Sequence, residues 1–376
     1  MKICFIIEYY PPHVGGGETL FCELAQGLAQ RGHTCDVITC RLPGTKKFEV
    51  VNGVRVHRVW APRWGDRYWF TFLALPKAIK TARKSDVCHT MTYNGAFPAW
   101  VASAVAKKPV ALLAHEVLGK RWHDLGLSPV EARMYRFLEK LVLCLPFDAY
   151  PCNSLATQSA LVRHGILPSR VHQFYPGVDS ACFCARSPDK AKQIRQKLGL
   201  GDAFVCLYYG RPGVVKGVEY LVQAARYLAR EIDGFHLVLI LSQKPVAKRR
   251  QIMRLVAGLE PGLVTVLDPV AREELPDYIL ACDCVAVPSL NEGFGFTCVE
   301  ACALGKPVVA TTAGSLPEVI FGKHVLVIPG SARALADGIV RAWKADFVQS
   351  RARKYSWDTF VSRHIEMYES LMSQHG

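Results

Sequence analysis

The chain has 376 residues and is half hydrophobic, which suits two α/β domains that each bury a core. Its formal net charge of +14 is uneven, because residues 1–178 hold 22 Lys and Arg against 12 Asp and Glu, whereas residues 179–376 hold 24 against 20. No apolar run reaches the roughly 18 residues that cross a membrane, so the sequence argues against a spanning helix. Residues 1–7 read as a short buried strand that runs directly into Glu8-Tyr9-Tyr10, and not as a signal peptide.

The cysteines indicate the cellular compartment of the protein, and the basic composition indicates the class of its partners. There are 14 cysteines, no Cys-x-x-Cys pair, and most lie inside apolar runs, so we interpret them as reduced thiols packed as small hydrophobic side chains. The pairs Cys182/Cys184 and Cys282/Cys284 are too closely spaced for an ordinary zinc site. We therefore expect a reducing, cytoplasmic compartment. No nucleic-acid-binding motif accompanies the positive charge, so we expect an anionic partner of another kind, at the more basic first half.

The first half of the chain alternates buried strands with amphipathic helices. Strands are predicted at Lys2–Ile7, Val37–Thr39, Val110–Ala114 and Ala149–Cys152. A glycine-rich loop follows the first strand, and apolar residues then recur at helical spacing through Thr19–Gln30. This order of elements predicts a parallel sheet that is covered by helices on both faces.

The glycine loop Gly15-Gly16-Gly17-Glu18 does not match a dinucleotide-binding fingerprint. The third glycine of that motif would fall on Leu20, and no acidic residue ends the second strand. What remains is a loop without β-carbons ahead of a helix N-terminus, where backbone N–H groups can approach a phosphate. An ordinary tight turn fits the same residues, so the sequence leaves both interpretations open.

Two segments of the first half combine cations with apolar side chains. The first, from Arg58 to Lys84, interleaves Trp60, Trp64, Tyr68, Trp69, Phe70 and Phe72 with Arg63, Arg67, Lys77, Lys80 and Arg83. The second is a helix that is predicted to begin at the capping box Ser128–Glu131, with Pro129 at the first helical position. It carries Val130, Met134, Leu138, Leu141, Val142 and Leu145 on one side and Arg133, Arg136 and Lys140 on another. Such segments suit an anionic membrane surface, but a buried helix with a solvated basic face fits equally well.

A second strand–helix series follows the turn-rich stretch 175–179, which we interpret as an interdomain linker. Its predicted strands are Phe204–Tyr209, His236–Leu241, Val264–Leu267, Cys284–Val287 and Pro307–Ala310. Helices are predicted at Val218–Ala229 and Trp357–Leu371. The chain therefore reads as two similar α/β units.

The segment Gly210–Gly217 follows a buried strand and precedes a helix. Arg211 and Lys216 flank its Gly/Pro turn, so both can point at one anion at the carboxyl edge of the sheet. Arginine can grip a phosphate with two hydrogen bonds, and lysine adds a point charge. A solvated surface pair is the alternative interpretation.

The strongest signal is the segment Pro288–Pro307, in which a strand ends, a glycine loop follows and a helix begins near Gly295. Glu292 lies in the loop and Glu300 lies about a turn into the helix, so the two carboxylates can face one crevice. A diphosphate at this helix N-terminus gains from the dipole and the free N–H groups, and carboxylates accept hydrogen bonds from sugar hydroxyls.

With these motifs the chain resembles the retaining glycosyltransferases of family 4, the group 1 type with a GT-B fold. The resemblance runs nearly end to end and rests on four motifs, namely Pro-Pro-x-x-Gly-Gly-x-Glu (11–18), Gly-Val-Asp (177–179), Gly-Arg-x4-Lys-Gly (210–217) and Glu-x7-Glu (292–300). It implies an α/β fold of two Rossmann-like domains whose parallel sheets face a central cleft. Residues 1–178 would bind the acceptor, 179–355 would bind the donor, and 356–376 would form a helix that packs back on the N-terminal domain. Pro176 replaces the family's usual asparagine, which leaves a ligand contact from that position unsupported.

The resemblance also implies roles for individual residues. Gly15 and Gly16 would approach the donor phosphates, and Arg211 and Lys216 would hold the diphosphate. Glu292 would bind hydroxyls of the donor sugar and Glu300 the ribose. The donor-binding set is completed by Gly293, Phe294, Gly295, Phe296 and Thr297. His115, at the end of the strand Val110–Ala114, falls where the family often places a histidine that contacts the transferring sugar and the acceptor, although a structural capping role also fits.

The implied reaction moves a hexose-type sugar from a nucleoside-diphosphate sugar to a glycan, lipid-linked or small-molecule acceptor, with same-face attack and retention. No Asp-x-Asp motif is present, so we expect neither a catalytic metal nor a cofactor. Two alternatives stay open at this point, a nucleotide-sugar epimerase of the same fold and a catalytically inactive sugar-nucleotide-binding protein. Fold alone would not choose between them.

Overall fold

The computed structural model describes residues 1–13, 15–178, 183 and 188–375. These residues form two compact units, which we call unit 1 (1–177 with 355–376) and unit 2 (178–354). The sequence predicted domain limits after residues 178 and 355, while the acceptor and donor roles given to the domains stay predictions. Asp179 of the linker motif, Val14 of the first glycine motif and the Cys182/Cys184 pair lie outside the described residues.

Unit 1 is built on a largely parallel sheet of six strands in the order β3-β4-β2-β1-β5-β6. The strands are β1 (Lys2–Ile6), β2 (Thr34–Cys40), β3 (Phe48–Val51), β4 (Val54–Val59), β5 (Val87–Met91) and β6 (Val110–Leu113), and β7 (Tyr150–Cys152) and β8 (Val171–Gln173) pair separately. The helices are α1 (Gly16–Gln30), α2 (Asp66–Leu73), α3 (Leu75–Ala82), α4 (Ala96–Ala106), α5 (Pro129–Cys144) and α6 (Leu155–Arg163), with 3-10 turns at Gly119–Asp124 and Pro168–Arg170.

The apolar runs of the sequence explain the centre of this sheet. Residues Ile3 to Ile6 are fully buried because β1 lies between β2 and β5 with helices on both faces. The helix α1 begins at Gly16 rather than at the predicted Thr19, and it buries Leu20, Leu24 and Leu28 against the sheet. The strand β2 begins at Thr34 rather than Val37, since Thr34 is already in register with Lys2.

The β3–β4 hairpin was not predicted from the sequence. Asn52 and Gly53 both have positive φ (47° and 82°) and form its two-residue turn. The Asn-Gly dipeptide is the typical signal for such a hairpin. The signal was obscured because β3 is largely exposed and carries no alternation of apolar and polar residues.

Unit 2 contains a seven-stranded sheet in the order β11-β10-β9-β12-β13-β14-β15, parallel except for β15. Its strands are β9 (Phe204–Gly210), β10 (Phe235–Leu241), β11 (Val264–Leu267), β12 (Cys284–Val287), β13 (Val308–Thr311), β14 (Gly322–Val327) and β15 (Val348–Ser350). Its helices are α7 (Pro188–Lys197), α8 (Val218–Glu231), α9 (Val246–Ala257), α10 (Leu275–Ala281), α11 (Phe296–Ala303), α12 (Leu316–Val319) and α13 (Ala332–Trp343). The chain moves outward from β9 to β11 and then returns to the other side of β9 with β12, so the strand order reverses between β9 and β12.

The C-terminal helix α14 (Trp357–His375) belongs to unit 1. It packs closely on α1, where a Cβ at Gly27 would lie 2.7 Å from Val361 Cγ2. Tyr368 from α14 is fully buried, and its hydroxyl lies 2.5 Å from Nδ1 of His89 on β5. Cys144 is the only exposed cysteine among the described residues.

Candidate active site

In open α/β sheets, ligands bind beyond the carboxyl ends of the strands where the strand order reverses. In unit 2 this point lies between β9 and β12, and it is bordered by three loops that we call the donor loops: 211–217 after β9, 288–295 after β12 and 312–315 after β13. The predicted diphosphate and sugar residues lie on the first two.

The first two donor loops are joined by backbone contacts. The amide of Leu290 donates to the carbonyl oxygen of Val215 at 2.7 Å. Gly217 has φ +61°, and a Cβ there would overlap the carbonyl oxygen of Pro288. Only glycine allows both this backbone conformation and this close approach. Gly217, the last residue of the Gly-Arg-x4-Lys-Gly motif, therefore allows the first donor loop to pack against the second.

The third loop holds the backbone of Glu292. Gly314 has φ +55°, and a Cβ there would overlap the carbonyl oxygen of Glu292. That oxygen accepts a hydrogen bond from the amide of Ser315 at 3.1 Å. Thr311 Oγ1 also donates to the carbonyl oxygen of Ser289 at 2.5 Å. Glu292 is thus positioned from its backbone by a loop that the sequence motifs did not identify.

The side chain of Glu292 meets a predicted cation. Lys216 Nζ lies 2.5 Å from Glu292 Oε1, and Ser289 Oγ donates to the same oxygen at 3.0 Å. The lysine side chain is 31% exposed and the glutamate side chain 10%. Arg211 is exposed, and its guanidinium makes no ion pair with a described carboxylate, while its carbonyl oxygen accepts from the Tyr208 hydroxyl at 3.1 Å. The geometry therefore brings Lys216 and Glu292 together and leaves Arg211 able to meet an anion.

The helix α11 begins directly after the second donor loop. Gly295 has φ +85°, which glycine adopts without strain, and it precedes the first helical residue, Phe296. The ring of Phe294 is buried, so only its backbone can meet a ligand. Phe294 and Phe296 contact each other edge to face, with ring centroids 5.0 Å apart. These two aromatic residues of the donor-binding set therefore pack against each other where the loop meets α11. Gly293 and Thr297 lie on either side of them in the chain.

Glu300 lies within α11 and is 4% exposed. Its Oε2 accepts a hydrogen bond from the Tyr209 hydroxyl at 3.1 Å, and its Oε1 lies 3.4 Å from Arg272 Nη1. Burial raises the pKa of Glu300 to about 7, although Arg272 and the Tyr209 hydroxyl oppose that shift. The sequence predicted Glu300 as a binding residue but gave no sign of Tyr209 or Arg272 as its partners.

In unit 1, the carboxyl ends of β1, β5 and β6 share one edge of the sheet because these strands are parallel. His115 follows β6, and its Nδ1 lies 3.2 Å from the side-chain amide of Asn153, which follows β7 and is fully buried. The amide nitrogen donates to Nδ1 in this arrangement, which places the proton of a neutral His115 on Nε2. Asn153, like Tyr209 and Arg272, was not singled out from the sequence.

The same edge holds a buried carboxylate, Glu8, two residues after the end of β1. Arg67 Nη2 donates to Glu8 Oε1 at 2.6 Å, and the amide of Asn94 donates to Oε2 at 3.2 Å. Tyr93, which precedes Asn94 in the chain, has φ +100°, which strains the backbone of a non-glycine residue. A polar residue at the end of the first buried strand was the sequence signal for this group.

The glycine loop of unit 1 is shaped by side chains. Gly15 is the N-cap of α1 with an extended φ of −177°, and a Cβ there would overlap the carboxylate of Glu18. Glu18 lies 2.9 Å from His13 Nδ1. Gly16 opens the helix. The N-terminus of α1, which we expected near the donor phosphates, therefore carries a carboxylate in contact with its cap.

Comparison with known proteins decides the family. The model for group 1 glycosyl transferases matches residues 203–345, and the model for glycosyltransferase family 4 matches residues 14–181. D-inositol 3-phosphate glycosyltransferase of Xylanimonas cellulosilytica is 30% identical over 385 residues, which cover 94% of this chain and 91% of the relative. The chain belongs to the group 1 glycosyltransferases.

Solved structures identify the fold of this glycosyltransferase as GT-B. Anabaena Alr3699/HepE in complex with UDP and glucose superposes with a TM-score of 0.77 at 23% identity, covering 98% of this chain and 100% of that one. Sucrose-phosphate synthase from Thermosynechococcus elongatus gives a TM-score of 0.75 at 23% identity, covering 99% and 94%. The predicted fold class and family are therefore confirmed.

In the described part of the glycosyltransferase, no three His, Cys, Asp or Glu side chains come together as a group that could hold a metal ion. Nor is any helix in that part both long enough and apolar enough to span a membrane. The roles assigned to His115, Arg211, Lys216, Glu292 and Glu300 stay predictions.

Proposed function

We propose that the protein is a retaining hexosyltransferase that moves a sugar from a nucleoside-diphosphate sugar to a glycan, lipid-linked or small-molecule acceptor. The observation that carries this proposal is the convergence of Lys216 and Glu292 on the donor loops, beside the N-terminus of α11. A cation suits a diphosphate, and a carboxylate suits sugar hydroxyls. The complex of the Anabaena relative with UDP and glucose supports a donor of this class.

The charges of the donor loops explain the proposed reaction. The bond between the anomeric carbon and the diphosphate oxygen breaks, and its electron pair leaves with the nucleoside diphosphate. Arg211, Lys216 and the amides at the start of α11 stabilise that anion. Glu292 orients the sugar through its hydroxyls, which requires Lys216 to exchange this carboxylate for a donor phosphate. The acceptor oxygen attacks the same face, and its proton passes to the leaving phosphate.

The proposed reaction also gives His115 a role, as a hydrogen-bond donor. With Asn153 donating to Nδ1, a neutral imidazole presents an Nε2–H donor. Such a donor can hydrogen-bond a hydroxyl of the transferring sugar or of the acceptor. His115 therefore orients the reacting partners and removes no proton itself.

Donor turnover tests the proposal directly. The protein is incubated with UDP-, GDP- and ADP-linked hexoses and a set of sugar, inositol phosphate and lipid-linked acceptors, and the products are identified by NMR. A new glycosidic bond with the donor's anomeric configuration supports the proposal. An isomerised nucleotide sugar that forms without transfer indicates an epimerase. Binding of the nucleotide with neither sugar transfer nor donor hydrolysis indicates a catalytically inactive binding protein.

The transfer is expected to need no metal ion, because two side-chain cations and a helix N-terminus already face the leaving group. Activity should therefore survive EDTA. The assay compares initial rates before and after chelation, with added manganese or magnesium as the control. Complete loss of activity that either ion restores would contradict this expectation.

We further propose that the acceptor is presented at an anionic membrane, on which α5 docks. The helix buries Ala132, Glu139 and Leu143, while its opposite side exposes Val130, Met134, Phe137, Leu138 and Leu141. Val130 is 74% and Phe137 60% exposed. This exposure disfavours the alternative of a buried helix with a solvated basic face.

The charges of α5 favour a bilayer as the occupant of this face. Arg133, Arg136 and Lys140 are all exposed along one flank of the apolar stripe. Basic side chains beside an apolar helix face are typical of helices that lie in an anionic membrane interface. Each contributes about 1 kcal/mol near such a surface. Glu139 on the buried side accepts from the amides of Leu118 and Gly119, at 2.9 and 2.6 Å, and so fixes the helix to the protein.

Vesicle sedimentation tests the docking. The protein should pellet with vesicles that contain phosphatidylglycerol, but not with pure phosphatidylcholine, and salt of about 0.5 M should release it. The triple variant Arg133→Glu, Arg136→Glu and Lys140→Glu should lose binding. The matched control Arg250→Glu, Arg254→Glu and Lys344→Glu makes the same charge change in unit 2 and should retain it. Absence of wild-type binding at low salt, or self-association through α5 in ultracentrifugation, overturns the proposal.

A further inference from the structure

Glu300 is held from two different elements of unit 2. Tyr209 reaches it from the end of β9, and Arg272 reaches it from the segment between β11 and α10. The carboxylate is 5% exposed at its side chain, whereas the side chain of Arg272 is 43% exposed. The pair thus joins a buried carboxylate to a cation at the surface of the unit.

This arrangement leaves the carboxylate with spare acceptor capacity. A carboxylate accepts about four hydrogen bonds. Tyr209 Oη occupies one position on Oε2, and Arg272 approaches Oε1 at 3.4 Å, which is a long contact. The Tyr209 hydroxyl also lies 3.0 Å from the carbonyl oxygen of Thr297, in the first turn of α11. Each oxygen of Glu300 can therefore accept a further bond from a ligand hydroxyl.

We propose that Arg272 is a positioning residue for the nucleotide, which acts by holding Glu300 as an oriented carboxylate that accepts hydrogen bonds from the ribose hydroxyls. This inference rests on the proposed function, in which Glu300 meets the ribose. It assigns a role to a residue that none of the recognised motifs contains. Arg272 itself need not touch the nucleotide.

The charged and buried groups around Glu300 show why a cation is needed there. Burial is the largest influence on the pKa of Glu300 and raises it to about 7, while Arg272 is the largest opposing influence. Among the described residues, the titratable groups that face this site are Tyr209 on β9, Arg272, and Cys298 and Cys302 on α11 itself, which influence Tyr209. Burial and Glu300 raise the pKa of Tyr209, so the tyrosine stays neutral and acts as a donor. Arg272 is therefore the only cation among these groups.

Removal of Arg272 should consequently change how nucleotide binding depends on pH. In the wild type, affinity rises with pH as Glu300 ionises, with its midpoint near pH 7 and a plateau about one unit higher. Without the arginine, the carboxyl ionises at higher pH, and each unit of that displacement lowers the ionised fraction about tenfold below the transition. The variant Arg272→Met should therefore bind more weakly at neutral pH, by about fivefold for a displacement of one unit, and approach wild-type affinity in alkali.

Calorimetry from about pH 5.5 to about pH 8.5 tests this, with UDP-, GDP- and ADP-linked sugars as ligands because they do not titrate appreciably in this range. The variants are Arg272→Met, Arg272→Lys and Glu300→Gln, with Arg250→Met as a control on an exposed face of α9. Arg272→Lys should restore most of the wild-type profile. Glu300→Gln should bind weakly and without a transition, alone and combined with Arg272→Met.

The outcomes separate the two proposals. If no sugar nucleotide binds the wild type, the proposed function fails. If the wild type binds but Arg272→Met weakens binding equally at every pH, Arg272 contacts the nucleotide directly and the positioning role is overturned. An unchanged profile in Arg272→Met overturns it as well. Thermal unfolding of each variant identifies any that fail to fold, and Arg272→Lys then carries the test.

Discussion

The two units hold the carboxyl edges of their sheets in different ways. In unit 2 the donor loops are joined backbone to backbone, by Leu290 to Val215 and by Ser315 to Glu292. In unit 1 the corresponding edge is held by side chains from distant parts of the chain, as Arg67 holds Glu8 and Asn153 holds His115. Close backbone contact requires glycine at fixed positions, whereas a side-chain contact can be made by several residue types. The donor edge therefore requires glycine at positions 217 and 314, whereas the contacts of Glu8 and His115 depend on their side-chain partners.

The largest effect is expected at the cations of the donor loops. Lys216→Met and Arg211→Met each remove a charged donor at the leaving group, so kcat should fall by a factor of about 10 to 1,000. The exposed Arg250→Met serves as the control and should leave kcat unchanged. Steady-state kinetics with a verified donor makes the measurement. Wild-type rates in both variants would show that the diphosphate does not lie on these loops.

The two glutamates of the donor edge should separate in binding and turnover. Glu292→Gln keeps the shape but removes the charged partner of Lys216, so it should lower turnover by about tenfold or more while the free nucleoside diphosphate still binds. Glu300→Ala should instead weaken binding of that nucleotide. Calorimetry and kinetics on both variants test the split, and the reverse pattern would falsify the roles given to them.

Gly314 offers a test of the backbone contacts themselves. Gly314→Ala places a methyl group against the carbonyl oxygen of Glu292 at φ +55°, so the loop must shift. The control Gly305→Ala meets the same kind of backbone strain at φ +70° but open space. Gly305→Ala should lose about 1 kcal/mol of stability from the backbone strain alone, and Gly314→Ala should lose more because of the steric overlap. Only Gly314→Ala should also lower donor turnover, by about tenfold, and equal turnover in the two variants would remove the third loop from the site.

The same contrast explains how much the sequence could predict. The strands Val264–Leu267 and Cys284–Val287 and the helix from Pro129 were predicted with correct starts, since their patterns and capping residues are local. The motifs also led to Lys216 and Glu292, which the structure brings together. By contrast, Arg272 pairs with Glu300 across 28 positions and Asn153 with His115 across 38. Only the strand order brings these residues together, and no local pattern encodes it.

The sharpest contrast between the units is expected in their response to pH. In unit 1, His364 and His89 are fully buried and stacked, and the Nε2 atoms of both find no hydrogen-bond partner in the described residues. Burial lowers the pKa of His364 to about 4 and also lowers that of His89. The unfolded chain therefore binds protons that the folded unit cannot, so unit 1 should lose stability as pH falls below about 6.5.

Glu300 gives unit 2 the opposite response. Its pKa is raised to about 7, so the folded unit binds the extra proton and its stability falls as pH rises from about 4.5 to about 7. Hydrogen exchange of the β1 and β9 amides at pH 5 and pH 7, as approximate endpoints, measures the two units separately. His364→Phe should flatten the response of β1 between these endpoints by about 2 kcal/mol and leave β9 unchanged, because the unfolded histidine gains its proton over about 1.5 units of this range and one pKa unit corresponds to about 1.4 kcal/mol. Glu300→Gln should flatten β9 alone, and an equal effect of either variant on both strands would show that the units unfold together.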